Sequence, residues 1–583
     1  MELGDVWAPD ASSVTMVLGD RLVRMERCTD PGTSADGGDL DGVWIPHERP
    51  TVGDRYGFVL DDGPVLPDPR SRWQPDGVAA LSAVPNLRSR QHTVPTTARP
   101  WRDAVIHELH VGTFSRSGTF RGVLDHIDHL VGLGVSHIEL MPIAAAPGRF
   151  GWGYDGVALW SPHAAYGTPD DLAALIDGCH AAGLAVIVDV VINHLGPDGS
   201  TLGAFGPYFT DRYRTPWGDS FNVDGPESDH VRSYLLGSAL HWLEEYGADG
   251  LRVDAAHAII DTSATHLLEQ LATSVDQLEA STGRPLVTIA EWDRSDPRVI
   301  TARSSGGYGY TAQWADDLHH AVHATLTGEL SGYYEDFDGG IDQIVDVLSH
   351  GYAHRGGWSA HRRHHHGRDP GDLPRSRFVV ALQNHDQVGN RAAGERIHEL
   401  VGERAALAAA ALFLLGPSVP MIFQGEDWAA SAPFPYFADH AGELADAVRR
   451  GRIEEFVAFG WSPEDVLDPI DPATFERARL DWSELEDASH GPNRQAQEWY
   501  RTLLELRRSD PSLAAGRPMT CESTDGVVTM RRGPIRVEVN LSDGPRIVAG
   551  GAVVALGAGA SLDGDAVELE SMSVAVLRDP EVT

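Results

Sequence analysis

A (β/α)8 barrel carrying a small β-sandwich at each end is the fold class that this 583-residue sequence predicts. Three observations lead there. Through the middle of the chain, apolar runs of strand length alternate with longer helix-like stretches, eight times in succession. Those runs are nearly continuous Val, Ile and Leu, the composition of parallel strands covered on their outer face. Both ends show instead short runs broken by Asp, Gly and Pro, the texture of antiparallel sheet. A doubly wound open sheet is the alternative that the same alternation allows.

Residues 1–96 form the first sandwich, read from "SSVTMVLGD", "RLVRMERC", "GVWIPH" and "RYGFVLDDGP". "SRQHTVPTTARPW" follows as a polar, proline-bearing linker. Residues 97–515 hold the barrel, with strands in "DAVIHELHV", "VSHIELMPI", "LAVIVDVVIN", "DGLRVDA", "LVTIAEW", "TAQWAD", "FVVALQNHD" and "PMIFQGED". A helix is expected from Pro169, where Asp170 and Asp171 suit the positive end of its dipole. Residues 516–583, with "GVVTMRRGPIRVEVNLS" and "MSVAVLRD", return to β pattern and make the second sandwich. The tract "AHRRHHHGRDPG" reads as a solvated loop, because three consecutive histidines (His364, His365, His366) do not converge on one ion.

Composition excludes several function classes. A formal charge of −39 argues against a nucleic-acid partner, which requires a cationic surface. All 46 basic residues are arginine, so a P-loop lysine and a Schiff-base lysine are absent. No apolar run reaches membrane-spanning length, and the first residues lack a secretion-signal profile. Three widely separated cysteines suit a reducing compartment, so a cytoplasmic protein with no membrane partner is expected.

The chemistry gathers where strands end. In a barrel the loops after the strands build the active face. The predicted strands terminate in Asp189, Asn193 and His194; in Arg252 and Asp254; in Glu291; in Asn384, His385 and Asp386; and in Glu426 and Asp427. Clustered carboxylates repel and raise one another's pKa, so five such endings on one rim imply a function. Two chemistries fit: a divalent metal held by oxygen ligands, or glycoside hydrolysis by paired carboxyl groups. Arg252 and Asp254, two apart on a strand, share a face, so the guanidinium is expected to keep Asp254 ionised. Glu291 follows the dry run "LVTIA" with no cation two residues away, so a raised pKa is expected there.

"DVVINH", "GLRVDAAH", "AEW" and "QNHD" resemble, in order and spacing, the four conserved regions of the alpha-amylase superfamily of glycoside hydrolases, over roughly residues 101–439. "WGYDGVALWSPHAAYGTPDDL", "AEWDRSDPR", "TAQWADDLHHAVH" and "GEDWAASAPFPYFADH" are similar to the branch acting on maltooligosyl trehalose, which cleaves the α-1,4 bond next to the terminal trehalose unit. The resemblance implies Asp254 as nucleophile, Glu291 as general acid/base and Asp386 as transition-state stabiliser, in a retaining reaction with the first two carboxyls about 5 to 5.5 Å apart. It implies that Arg252 orients Asp254, that His194 and His385 bond the sugar, and that Tyr154 offers it a ring face. Asp189 would support the site. Trp292, Asp293, Asp439 and His440 would line the leaving-group side. An α-1,4-glucan substrate, no required metal or cofactor, and a monomer or homodimer complete the expectation. The same scaffold also serves α-glucan branching and debranching enzymes, and a non-catalytic carbohydrate-binding scaffold is the reading from outside enzymology. Asp427 and Ala429 depart from the branch's pattern, where Glu and Gly would be expected.

Overall fold

The computed structural model describes residues 1–28, 41–87, 99–215, 218–458, 461–486 and 491–580. Its centre is a closed barrel of eight parallel strands in sequential order. The strands are β1 (Ile106–Leu109), β2 (His137–Leu140), β3 (Ala185–Val190), β4 (Gly250–Val253), β5 (Val287–Ala290), β6 (Ala312–Trp314), β7 (Phe378–Ala381) and β8 (Val419–Phe423), with β8 closing onto β1. All eight coincide with the apolar runs of the sequence. The open doubly wound alternative is excluded by that closure.

The barrel interior follows from the two-residue period of a strand. Ile106, Ile187, Ile289, Val379, Val419 and Met421 fill the lower interior as one apolar cluster that includes Ala312 and Trp314. Positions two residues further along β1, β3 and β5 share that inward face, and there the chain places Glu108, Asp189 and Glu291. The outward faces of the strands (Leu109, Leu140, Val188, Leu251, Val253) belong instead to the large core shared with the surrounding helices. Gly250 starts β4 because a Cβ there would lie 2.3 Å from a methyl of Val287.

Helices make the covering layer for the reasons the sequence suggested. Pro169–Ala181 opens on a reciprocal capping box between Thr168 and Asp171, with Pro169 in its first turn. Pro492–Ser509 buries Trp499, Tyr500, Leu503 and Leu504, and its buried Arg507 donates to the carbonyls of Leu414, Gly416 and Ser418 just before β8.

At the N-terminal end, seven strands between Val6 and Ala83 form one connected antiparallel sheet. It meets the barrel unit through aromatic edges, Trp7 on Tyr208 at 5.1 Å and Phe58 on Phe205 at 6.3 Å. At the C-terminal end a five-stranded and a three-stranded sheet pack together over Val567, Leu569, Ala575 and Leu577. Most of the expected linker, residues 89–98, lies outside the described residues. The histidine tract differs from expectation: His364–Gly367 is a strand paired with Arg355–Ser359, with His364 opposite Ser359, His365 opposite Trp358 and Gly367 opposite Arg355. Among the described residues no helix is long and apolar enough to cross a membrane.

Candidate active site

The C-terminal ends of the strands bring the expected rim residues together around one guanidinium. Arg252 is fully buried on β4. Its Nη1 donates to Asp189 at 2.6 Å and to Asp254 at 3.1 Å, and its Nη2 donates to Glu291 at 2.7 Å. One cation thus ties together the ends of β3, β4 and β5. The indole of Trp314, at the end of β6, lies against the other side of this guanidinium, 4.1 Å from ring centroid to carbon.

Two small residues, Ala255 and Ala256, follow Asp254. Ala255 adopts a left-handed conformation (φ 34°, ψ 45°), a strained one for any side chain with a Cβ. That turn aims its backbone N–H at Glu291 Oε2, 2.8 Å away. The next N–H, of Ala256, reaches the Glu291 carbonyl at 3.2 Å. Asn193 donates to the other oxygen of Asp254 at 3.1 Å. Asp254 is therefore held by two side chains, and Glu291 by a side chain and a backbone amide.

The electrostatics reverse two expectations. Burial raises the pKa of both carboxyls. For Glu291 the pull of Arg252, His257 and the Ala255 N–H outweighs burial, and its pKa falls below the usual value. For Asp254, burial and the neighbouring Glu291 outweigh Arg252, and its pKa rises well above the usual value. The sequence places Arg252 beside Asp254 but cannot show that Nη2 reaches Glu291, at the end of the neighbouring strand, at shorter range. Two carboxyls sharing one cation titrate as a pair, and between their two steps the pair holds one proton.

Asp386 is the second residue of the short helix His385–Gly389, which Asn384 caps by accepting from the N–H groups of Asp386 and Gln387. His385 is buried, with Nδ1 2.5 Å from Glu108 Oε1 and Nε2 2.9 Å from the Tyr154 hydroxyl and 3.4 Å from Asp386. Burial disfavours its cation, but Asp386 and Glu108 outweigh that and raise its pKa to about 9. Tyr154 stacks on His385 at 5.2 Å and donates its hydroxyl to Asp189 at 2.8 Å. Burial lifts Asp189 to about 6 in spite of Arg252. His194 has Nδ1 against Asn193 (2.8 Å) and Nε2 against the Tyr154 carbonyl (3.1 Å), and burial lowers its pKa to about 4. Both histidines expected to bond sugar thus have each ring nitrogen engaged by protein.

Beside this cluster opens a cavity of about 340 Å³ whose lining includes Glu291, Trp292, Asp293, Asp386, Asp316 and Arg362. Arg362 comes from the hairpin turn and pairs with Asp293. Asp316 went unnoticed as a site residue; burial, then the Glu291 and Asp386 carboxylates, raise it to about 8. Its signal was present in "QWADD", two residues beyond Trp314 on the inward face. The four residues expected on the leaving-group side divide. Trp292 and Asp293 line this cavity, whereas Asp439 and His440 border a separate recess near Asp155, with His440 3.3 Å from Asp155. Asp427 is fully buried between His129 (2.8 Å) and His107 (3.8 Å), so its departure from the pattern lies within a packed network. Among the described residues no group of three or more His, Cys, Asp and Glu could hold a metal ion.

With this geometry in place, comparison with known proteins is informative. Residues 87–202 match the family model "Alpha amylase, catalytic domain". A malto-oligosyltrehalose trehalohydrolase from Arthrobacter ramosus is 46% identical over 96% of this chain and 97% of its own length. The chain belongs to the malto-oligosyltrehalose trehalohydrolase family. A trehalohydrolase from Mycobacterium tuberculosis (strain CDC 1551 / Oshkosh) is 43% identical over 99% of each chain. A crystal structure of a Salmonella typhimurium protein assigned to the alpha amylases superposes with a TM-score of 0.88, at 34% identity over 99% of this chain and 97% of that one. The trehalohydrolase family is a family of glycoside hydrolases, which decides between the two chemistries left open by the rim carboxylates.

Proposed function

We propose that this chain hydrolyses the α-1,4-glucosidic bond next to the terminal trehalose unit of maltooligosyl trehalose and releases trehalose with retention of configuration. The observation that carries the reading is the convergence of Asp254 and Glu291 on one buried guanidinium, in a chain alignable end to end with trehalohydrolases. Glu291, bordering the cavity, protonates the bridging oxygen while Asp254 attacks the anomeric carbon. Water, deprotonated by Glu291, then releases the glycosyl group. The reactive form of the pair has its single proton on Glu291, so substrate entry must favour that form over the one preferred in the empty site. A glycosidic oxygen beside Glu291 accepts a hydrogen bond only from the protonated acid, which is the direction needed. Asp386, across the cavity, interacts more strongly with the flattened, positively charged ring than with the ground state.

On this reading, residues 97–515 are the catalytic unit and residues 1–96 and 516–583 flank it. Trp292 and Asp293 contact the leaving trehalose. Three cysteines far apart in the sequence, at 28, 179 and 521, fit work in a reducing cytoplasm, as a monomer or homodimer. Incubation with purified maltooligosyl trehalose tests the proposal. Free trehalose is the expected product, and new α-1,6 branches in its place would assign the chain to a transferase on the same scaffold.

A further inference from the structure

We infer that Glu108, at the end of β1 and lining no part of the cavity, is a positioning residue for the reaction, holding His385 as a doubly protonated ring whose charge opposes Asp386. Proton bookkeeping carries the first step. Tyr154 has one hydroxyl proton and gives it to Asp189, whose same oxygen accepts from Arg252 at 2.6 Å. The tyrosine oxygen can therefore only accept from His385, so Nε2 must carry a proton. Nδ1 faces a carboxylate at 2.5 Å and must carry one as well. A ring with both nitrogens donating is the cation.

Glu108 is the anion built for that cation. It is 1% exposed and uses both oxygens on one residue, Oε1 on the ring and Oε2 on the His385 backbone N–H at 3.1 Å. The bidentate grip fixes both ring orientation and the start of the helix that presents Asp386. The other ionisable groups facing His385 are Asp386 on its own helix, Arg252 on β4, Glu139 on β2, Glu291 after β5 and His110 after β1. Asp189 lies one hydroxyl away. Without Glu108, Arg252 and burial would both act to discharge the ring, and Asp386 would lose the positive charge beside it. Burial and Glu291 already push Asp386 upward, with His385 the first group opposing them.

The inference rests on the proposed role of Asp386. Its test uses the full chain and has two readouts. In E108Q the carboxamide cannot accept at both positions. The alkaline limb of kcat/KM for trehalose release should therefore move toward acid by about one pH unit or more, with at least about twofold less activity at pH 8 relative to pH 6. E108D, which keeps the charge at longer range, should move it less. An E108Q limb that coincides with the wild-type limb, or a displacement at least as large in E108D, would overturn the inference. A purely structural role would lower activity equally at all pH values. Should E108Q not fold, the wild-type protein still decides: histidine ring ¹⁵N signals, assigned to His385 by comparison with H385Q, should show both nitrogens protonated at pH 8. A neutral ring there would refute the cation. Those signals need no substrate, so failure of wild-type trehalose release would count against the proposed reaction and leave this result separate.

Discussion

Replacing Arg252 with methionine keeps a long side chain under Trp314 and removes the charge shared by Asp189, Asp254 and Glu291. The magnitude follows from the contacts. Removing one partner of a buried ion pair costs about 3–5 kcal/mol, because the remaining charge is left without compensation. Here three carboxyls at 2.6, 3.1 and 2.7 Å lose the same cation. They will reduce that cost by taking up protons, and an opposite charge at this range is worth about 1–3 pKa units to a carboxylate. A protonated Asp254 cannot attack, so kcat/KM at pH 7 should fall about 10- to 1,000-fold from ionisation alone. Stability should respond to pH as well. In the native protein Glu291 has a folded pKa below its unfolded value; its contribution is present above the unfolded value and lost as pH falls through the folded one. Asp254 has a raised folded pKa, so its contribution is present below the unfolded value and lost as pH rises through the folded one. Losing the cation raises both folded values, so R252M should be most destabilised near neutrality and least near pH 4. Urea unfolding at pH 4 to 8, alongside trehalose release at the same values, measures both effects. Activity within threefold of wild type at pH 7, or a stability deficit independent of pH, would refute the shared-cation argument.

Four further outcomes are expected. A slow fluorinated glycosyl donor should leave its label on Asp254, read by peptide mass spectrometry, and E291Q should lose about 10²- to 10⁴-fold in trehalose release; label on another residue, or an active E291Q, would reassign the roles. Ala429 sits at φ 52°, ψ 53°, a left-handed conformation costing a side-chain-bearing residue about 1–2 kcal/mol, of which glycine's extra unfolded freedom returns about 0.4–1 kcal/mol. A429G should therefore gain about 0.5–1 kcal/mol in urea unfolding with unchanged kcat, and a loss of stability would show that the turn is not strained. His194 has its folded pKa lowered to about 4, so its contribution to stability is present above its unfolded value near 6.5 and lost as pH falls through 4. H194N should flatten the fall in stability between pH 6.5 and 4 by on the order of 2 kcal/mol; an unchanged slope would assign that window to other groups.

The barrel was legible because most of its strands lie in runs rich in Val, Ile and Leu that end in polar residues, eight times in succession, although only closure of the last strand onto the first excludes an open sheet. Asp254, Glu291 and Asp386 were legible for the same reason, being the residues that follow such runs. What the sequence concealed was reach. Arg252 is two residues from Asp254 along the chain, yet its second nitrogen spans to Glu291 on the next strand, and the balance of the pair turns on that distance. Glu108 and His385 are 277 positions apart, and nothing local marks Glu108 as their meeting point. Asp316 became visible only when the cavity brought it between Glu291 and Asp386. The histidine hairpin was missed because its partner strand, Arg355–Ser359, holds two glycines and carries little apolar pattern of its own.

The alternation inside the barrel, with isoleucines at the base and acids two positions above on β1, β3 and β5, makes assembly its own proofreading. A slip of one residue in any of these strands would turn a carboxylate into the greasy outer layer and a branched side chain toward solvent at the mouth, so such a molecule would not close. Every barrel that does close therefore arrives with its acids at the correct height. Heat inactivation should accordingly track loss of the folded population, with no lingering fraction of intact but idle molecules.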